Sequence, residues 1–157
     1  MKKLLTIAAI FFLFSTGKML AQSYDASVGL RLGFPIGLTG KFFISETDAI
    51  EGLVFFDFRN QTQSIGVTGL YERHADPFNI PELLLYYGVG GGVGVWTHDG
   101  NNNGGIGVGL DAIIGIEYSI PDVPLNVSLD VKPNINLIPS VNFGSINPAL
   151  SIRYIFK

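Results

Sequence analysis

From Tyr24 to the end of the chain, apolar and polar residues alternate with a period of two over eight segments, each of about nine to fifteen residues, broken by clusters of Gly, Pro, Asn and Asp. Successive side chains of an extended strand point to opposite faces, so each segment is predicted to be a strand with one apolar face and one polar face. The first sets Tyr24, Ala26, Val28, Leu30, Leu32 and Phe34 against Asp25, Ser27, Gly29, Arg31 and Gly33. The second sets Leu38, Phe42 and Ile44 against Thr39, Lys41 and Ser45, with Phe43 out of pattern, and ends in a tight turn at Glu46, Thr47 and Asp48. Ile50, Val54, Phe56 and Phe58 then oppose Glu51, Asp57 and Arg59, a pattern blurred by Leu53 and Phe55. The weaker fourth segment has Ile65, Val67 and Tyr71 opposite Ser64, Gly66, Thr68 and Glu72. In the fifth, Leu83, Leu85, Tyr87, Val89, Val93 and Val95 alternate with Tyr86, Gly88, Gly90, Gly92 and Gly94, so one face is nearly bare backbone. The sixth runs from Ile106 to Ile120, with Gly107, Gly109, Asp111, Gly115, Glu117 and Ser119 on its polar face. The seventh pairs Leu125, Val127, Leu129 and Val131 with Asn126, Ser128, Asp130 and Lys132. The last pairs Ile146, Leu150, Ile152, Tyr154 and Phe156 with Asn147, Ser151 and Arg153.

Ahead of these segments, Lys2 and Lys3 precede an apolar run from Leu4 to Phe14 and then small or polar residues up to Ala21. That is the plan of a signal peptide, so residues 1–21 are expected to be a leader and 22–157 a single β-barrel domain. The run is shorter than the roughly 20 apolar residues that a membrane-crossing helix needs, and no later run reaches that length uninterrupted. The chain has no cysteine, which excludes disulfides, thiolate metal ligands and a lipid-anchored N-terminal cysteine. Removing Lys2, Lys3 and Lys18 from the ten basic residues leaves seven against thirteen acidic ones. Nucleic acid is therefore not an expected partner.

Alternation alone does not say which face points outward, because a soluble lipocalin-like barrel and a membrane barrel share it. The composition of the polar faces decides. A face turned to water carries many Lys and Glu residues for solubility, whereas these faces carry mostly Gly, Ser, Thr and Asn with single charges. Such a face suits the inside of a narrow barrel, where bulk on one strand is offset by glycine on another; Phe43, Phe55, Tyr86 and Trp96 are the expected fillers. Buried charges persist when paired, so Arg31, Lys41, Lys132 and Arg153 are expected to form an interior network with Glu51, Asp57, Asp111, Glu117 and Asp130. The apolar face then meets lipid, with Tyr24, Tyr71, Tyr118, Tyr154 and Phe156 in an aromatic girdle. The barrel must also close first strand to last, because lipid leaves an open edge unpaired. The predicted fold class is all-β: an eight-stranded antiparallel up-and-down transmembrane β-barrel. An even strand count puts both termini on one side. The loops on the other side are expected at Pro35 to Gly37, Asn60 to Gln63, Thr97 to Gly105 and Asn136 to Gly144, the last two long enough to bind a ligand. The connection from Arg73 to Glu82, on the side of the termini, is long for an inner turn.

Leu150, Ile152, Tyr154 and Phe156 at spacing two resemble the C-terminal strand by which outer-membrane barrels are recognised by their assembly machinery, although Lys157 follows the aromatic that usually ends such chains. Gly29-Leu-Arg-Leu-Gly33, Gly69-Leu-Tyr-Glu72, Tyr86-Tyr-Gly88, Gly115-Ile-Glu-Tyr118, Leu125-Asn-Val-Ser-Leu-Asp130 and Ser151-Ile-Arg-Tyr154 extend the likeness over nearly the whole chain. It resembles small, uncharacterised eight-stranded outer-membrane β-barrel proteins of Gram-negative bacteria, OmpX/OmpA-like in size. The resemblance implies the cell outer membrane as location, with outer-membrane lipid, lipopolysaccharide and the assembly machinery as partners. It implies no activity.

Motifs for chemistry are weak. His74 and His98 are the only histidines, and both are expected in exposed connections. Acyl transfer to or from lipid A would need a serine and a histidine together; no His-x-Ser pair falls on a strand, and only His98 with Asp99 and Ser140 or Ser145 imitates such a site. Asp99, Asn101, Asn103 and Gly104 match the opening of a calcium loop, but the twelfth position is Leu110, not the bidentate carboxylate that such a loop requires. The Gly88 to Gly94 run is not followed by a helix that would cradle phosphate. No catalytic, cofactor-binding or metal residue is assigned and no cofactor is expected. The functional reading is a non-enzymatic structural or surface-interaction barrel; a narrow passive pore, a lipid A-modifying enzyme and a soluble periplasmic binding barrel are the alternatives.

Overall fold

The computed structural model describes residues 24–58, 62–98 and 104–156. The expected leader, the calcium-like positions Asp99, Asn101 and Asn103, and Lys157 lie outside them. The described residues form eight antiparallel strands: β1 (Ala26–Gly33), β2 (Ile36–Phe43), β3 (Asp48–Asp57), β4 (Thr62–Ala75), β5 (Leu83–His98), β6 (Gly104–Ser119), β7 (Leu125–Ile138) and β8 (Asn142–Phe156). Each pairs with its sequence neighbours, and β1 pairs with β8 from Ala26 opposite Phe156 to Gly33 opposite Ala149, so the sheet is a closed barrel. Closure gives every strand a partner on both sides and leaves no edge.

The alternation read from the sequence sorts the side chains in three dimensions. Val28, Leu30, Leu38, Ile50, Val67, Val89, Leu110, Ile114, Leu129 and Ile152 stand exposed on the outer wall. Ser27, Arg31, Thr39, Lys41, Glu51, Thr68, Glu72, Asn126, Ser128, Ser151 and Arg153 are buried inside. Leu53, which blurs the third segment, points inward and packs with Leu70, Tyr86 and Ile113. Phe43, out of pattern in the second, packs with Tyr24, Ala49 and Ile155 at the end of the lumen near the termini.

Several expectations need correction. Tyr24 does not join the outer girdle: it is buried, its ring edge-on to Phe43 at 5.0 Å, because it lies two residues before β1 and closes the mouth of the lumen. His74 and His98 lie on strands, not in connections. β4 continues through Ala75, so the connection expected from Arg73 to Glu82 shrinks to residues 76–82. β7 and β8 likewise continue to Ile138 and from Asn142, leaving 139–141 where a long loop was expected. The polar runs that read as loops are inward or rim positions of ladders that extend beyond the apolar band, where polarity no longer reports strand against loop.

Proline and glycine mark where the ladder departs from regularity. The β7–β8 register shifts between Pro133 and Ile135, consistent with a residue that has no N–H to donate to the ladder. Close strand approach sets the glycines. A Cβ at Gly90 would strike the Gly69 carbonyl oxygen, and one at Gly29 the Ile152 carbonyl oxygen across the closing ladder, whereas a Cβ at Gly69 would meet nothing within 4 Å. Gly69→Ala is therefore expected to leave the urea unfolding midpoint of the detergent-folded protein unchanged or raised. Gly29→Val and Gly90→Val are each expected to lower stability by about 1–3 kcal/mol through overpacking.

Candidate functional site

Among the described residues, polar chemistry in a defined geometry is concentrated in the lumen, which divides into two parts. In the half near the termini, alternate residues of every strand converge on a charged cluster. Lys41 on β2 points its ammonium between three carboxylates, 2.8 Å from Glu72 Oε2, 2.9 Å from Glu117 Oε2 and 3.9 Å from Glu51 Oε2. It also sits 4.0 Å above the Tyr86 ring, where the quadrupole of the aromatic face favours a cation. Arg153 on β8 crosses the lumen: its Nη2 is 2.6 Å from Glu51 Oε1, its Nη1 donates to Ser128 Oγ at 2.7 Å, and its Nε donates to Thr39 Oγ1 at 3.2 Å. The Thr39 hydroxyl in turn donates to Glu51. His74 Nε2 lies 3.5 Å from Glu117 Oε1 and 3.4 Å from Lys41 Nζ, and the Tyr24 hydroxyl donates to the same Glu117 oxygen at 3.1 Å.

Above this cluster, Arg31 on β1 grips Asp130 on β7 through two parallel bonds of 2.7 and 2.5 Å, the bidentate fork that gives an arginine–carboxylate pair its directional strength. Tyr86 donates to Asp130 Oδ2 at 2.8 Å. Lys132 pairs with Asp111 one step further from the termini. Among the described residues the buried charges comprise four cations, Arg31, Lys41, Lys132 and Arg153, against five carboxylates, Glu51, Glu72, Asp111, Glu117 and Asp130. Both Glu72 oxygens lack a hydrogen-bond partner despite the nearby ammonium, so the excess carboxylate of the cluster is the least satisfied group in the lumen. The cluster seals the barrel: the side chains of Lys41, Arg153, Glu51 and Glu72 have no exposed surface.

All nine charged residues of the expected interior network point inward. Eight are buried, and Asp57 is half-buried near the far mouth. Sequence reasoning left Glu72 out of the network, although it falls on the polar face of its strand, and missed His74 by placing it in a connection. Counting the period of two onward from Thr68 through Glu72 reaches His74, and that was the signal available. His98 accepts or donates to Thr62 Oγ1 at 2.9 Å on the exposed rim. Ser140 and Ser145 instead hydrogen-bond to Asn142 and Asn147. Among the described residues, His98 thus bonds to Thr62 and the two serines to asparagines; Asp99, the third member of the arrangement considered for acyl transfer, lies outside them.

A closed eight-stranded antiparallel barrel with a polar, charged lumen and an apolar wall defines the class: a small β-barrel turned inside out relative to a soluble one. Its fold is matched by the crystal structure of Neisserial surface protein A, with a TM-score of 0.55 and 14% sequence identity over 84% of this chain and 94% of that one. The likeness is one of fold. No family model matches the sequence, and no curated protein matches it.

Breaking a buried ion pair from one side strands the other charge and typically costs about 3–5 kcal/mol. Arg153→Met is expected to destabilise the folded barrel by that amount in urea titration, because Glu51 loses its closest cation. Lys41→Met should cost as much, and Lys41→Met combined with Glu117→Gln should recover part of the loss. Additive losses in that double variant would show that the two side chains are not energetically coupled.

Proposed function

We propose that the chain is an integral, non-enzymatic barrel of a Gram-negative outer membrane, exported by its N-terminal leader, with a structural or surface-interaction role. The observation that carries this reading is the inverted polarity of the wall. The side chains of Val28, Leu30, Val67, Val89 and Ile114 are at least half exposed on a continuous outer surface, while Arg31, Lys41, Glu51, Glu117, Asp130 and Arg153 are inside. A patch of this kind far exceeds the few hundred square ångströms that a soluble monomer exposes. Aromatics support the same reading at both rims: Tyr71, Tyr118, Tyr154 and Phe156 on the rim of the termini, and Phe34, Phe58 and Phe143 on the opposite one, the distribution expected where a wall meets two membrane interfaces. Outer-membrane lipid and lipopolysaccharide are the partners of this wall. The outward residues Leu150, Ile152, Tyr154 and Phe156 of β8 are the segment offered to the assembly machinery, and the loops at the far rim are the surface available to an external ligand.

The sealed charge cluster argues against a passive pore, since an ion would have to displace Lys41 and Arg153 from their carboxylates. Reconstitution in planar bilayers is expected to give no steady conductance steps. On a gel without boiling, the detergent-folded protein should migrate apart from the boiled form. Val89→Arg, at mid-height of the wall, should cost about 2–4 kcal/mol in lipid vesicles. Solubility without detergent, together with indifference to Val89→Arg, would overturn the membrane reading.

A further inference from the structure

Beyond the charge cluster the lumen is not filled. A cavity of about 250 Å³ lies at the end away from the termini, among residues near the far ends of β3 to β8. Its floor includes Thr68 and Asp111, the latter neutralised by Lys132. We propose that this vestibule is a binding site for a single sugar unit.

The emptiness is built in. Gly92, Gly94, Gly107 and Gly109 line one wall, and at Gly107 a Cβ would meet only two carbonyl oxygens, at 3.8 and 3.9 Å. That is ordinary contact, so a side chain fits there and none is present. Two other glycines serve the aromatics. A Cβ at Gly105 would strike the Trp96 indole, and one at Gly66 the Phe55 ring; each ring is thus seated against bare backbone and held at the edge of the cavity, which both rings line.

The adjoining wall, on β7 and β8, is amide and hydroxyl. Asn134 Oδ1 accepts from the Ser145 backbone N–H at 2.8 Å, while Asn134 Nδ2 donates to Asn136 Oδ1 at 3.1 Å. Asn136 Nδ2 donates to Asn142 Oδ1 at 2.9 Å, and Ser145 Oγ donates to Asn147 Oδ1 at 3.0 Å. These bonds fix the orientation of the side chains before any ligand arrives, which lowers the entropy lost on binding. A carboxamide has two donor hydrogens and an oxygen with two lone pairs, so each bond leaves capacity for a ligand.

The chemistry selects the occupant. Fixed amides and hydroxyls lining the same cavity as an indole match a molecule with alternating donors and acceptors on its edge and C–H groups on its face, which describes a pyranose. Anions are disfavoured by Asp57 and Asp111 in the lining and by the engagement of the Lys132 ammonium with Asp111. The volume falls below the roughly 300–1,000 Å³ of sites for drug-sized ligands, so one ring fits and an extended chain does not. A free monosaccharide and the terminal residue of a surface glycan share this chemistry.

Trp96 is the sole tryptophan of the sequence, so its emission reports on the site alone. The detergent-folded full chain is titrated with glucose, galactose, mannose and N-acetylglucosamine, and with glycan released from lipopolysaccharide by mild acid; calorimetry on the same samples reads binding that leaves emission unchanged. The expected result is saturable binding of at least one of them with a Kd of about a millimolar. It is lost in Gly107→Leu, which fills the space yet keeps the heat-dependent gel shift, and it is weakened about tenfold or more in Asn136→Ala. Binding by a monosaccharide identifies a free sugar as sufficient, and binding by the released glycan alone identifies a surface glycan as the source. Absence of saturable binding by every sugar, retention of binding in Gly107→Leu, or binding of an alkylammonium ion in place of sugars would each overturn the proposal.

Discussion

The structure depends on pairing charge inside a closed lumen. An isolated ion in a medium of low polarity carries a desolvation cost of several kcal/mol that only a close, well-oriented counter-charge offsets. Here no strand supplies its own counter-charge. Arg153 on β8 reaches Glu51 on β3, Arg31 on β1 reaches Asp130 on β7, and Lys41 on β2 reaches Glu72 on β4 and Glu117 on β6. None of these partners lies on a strand next to its cation, so each pair needs the intervening strands in register, and Arg31–Asp130 and Arg153–Glu51 need the β1–β8 closure as well. A slip of one residue would carry the charge to the outer wall and strand its partner within. The network therefore specifies the strand register as well as filling the interior, and this function accounts for the retention of so many ions where apolar packing would serve stability as well.

Volume is the second constraint, and it is settled between strands. Tyr86, Phe43, Leu53 and Leu70 bring bulk to the inside, while β5 and β6 contribute glycine at many inward positions. A Cβ at Gly115 would strike the Asp130 Cβ and the Tyr86 ring, and one at Gly88 would strike the Tyr71 carbonyl oxygen. The glycine-rich face thus lets Tyr86 lie across the lumen and still donate to Asp130. The vestibule marks where this exchange of bulk for space is left incomplete, because Gly107 is opposed by no side chain that needs the room.

Most of the fold was legible because a period of two is a direct record of which side a residue faces. The outward positions read on β1, β6, β7 and β8 follow it up to the register shifts near Pro133, and the nine interior charges follow from it. It failed where hydrophobicity and face part company. Leu53 and Tyr24 are apolar or aromatic and point inward, so they read as noise or as girdle, whereas Phe43, out of pattern on its strand, was expected as an interior filler and is one. Asn136, Asn142 and Ser145 are polar strand residues, so they read as loop. His74 belongs to both cases, an inward polar residue near a strand end with no apolar neighbour beyond it to continue the pattern. The pairing across the barrel was not legible at all, since sequence order does not say that Arg153 faces Glu51 rather than Asp130.

The two halves of the lumen impose opposite requirements on the same wall. Near the termini, the buried cluster of Lys41, Arg153 and three glutamates fills the lumen and joins the strands that contribute to it. Toward the other end, Asn134, Asn136, Ser145 and Asn147 are ordered by one another with hydrogen-bonding capacity to spare, and the opposing glycines keep the volume open. At Gly107 a Cβ would meet only ordinary contacts, so the space next to it is not held open by backbone crowding. Keeping glycine there sacrifices packing and increases the entropy lost on folding, and in a chain that otherwise fills its interior closely, a void lined by oriented polar groups is accounted for by a molecule that enters it.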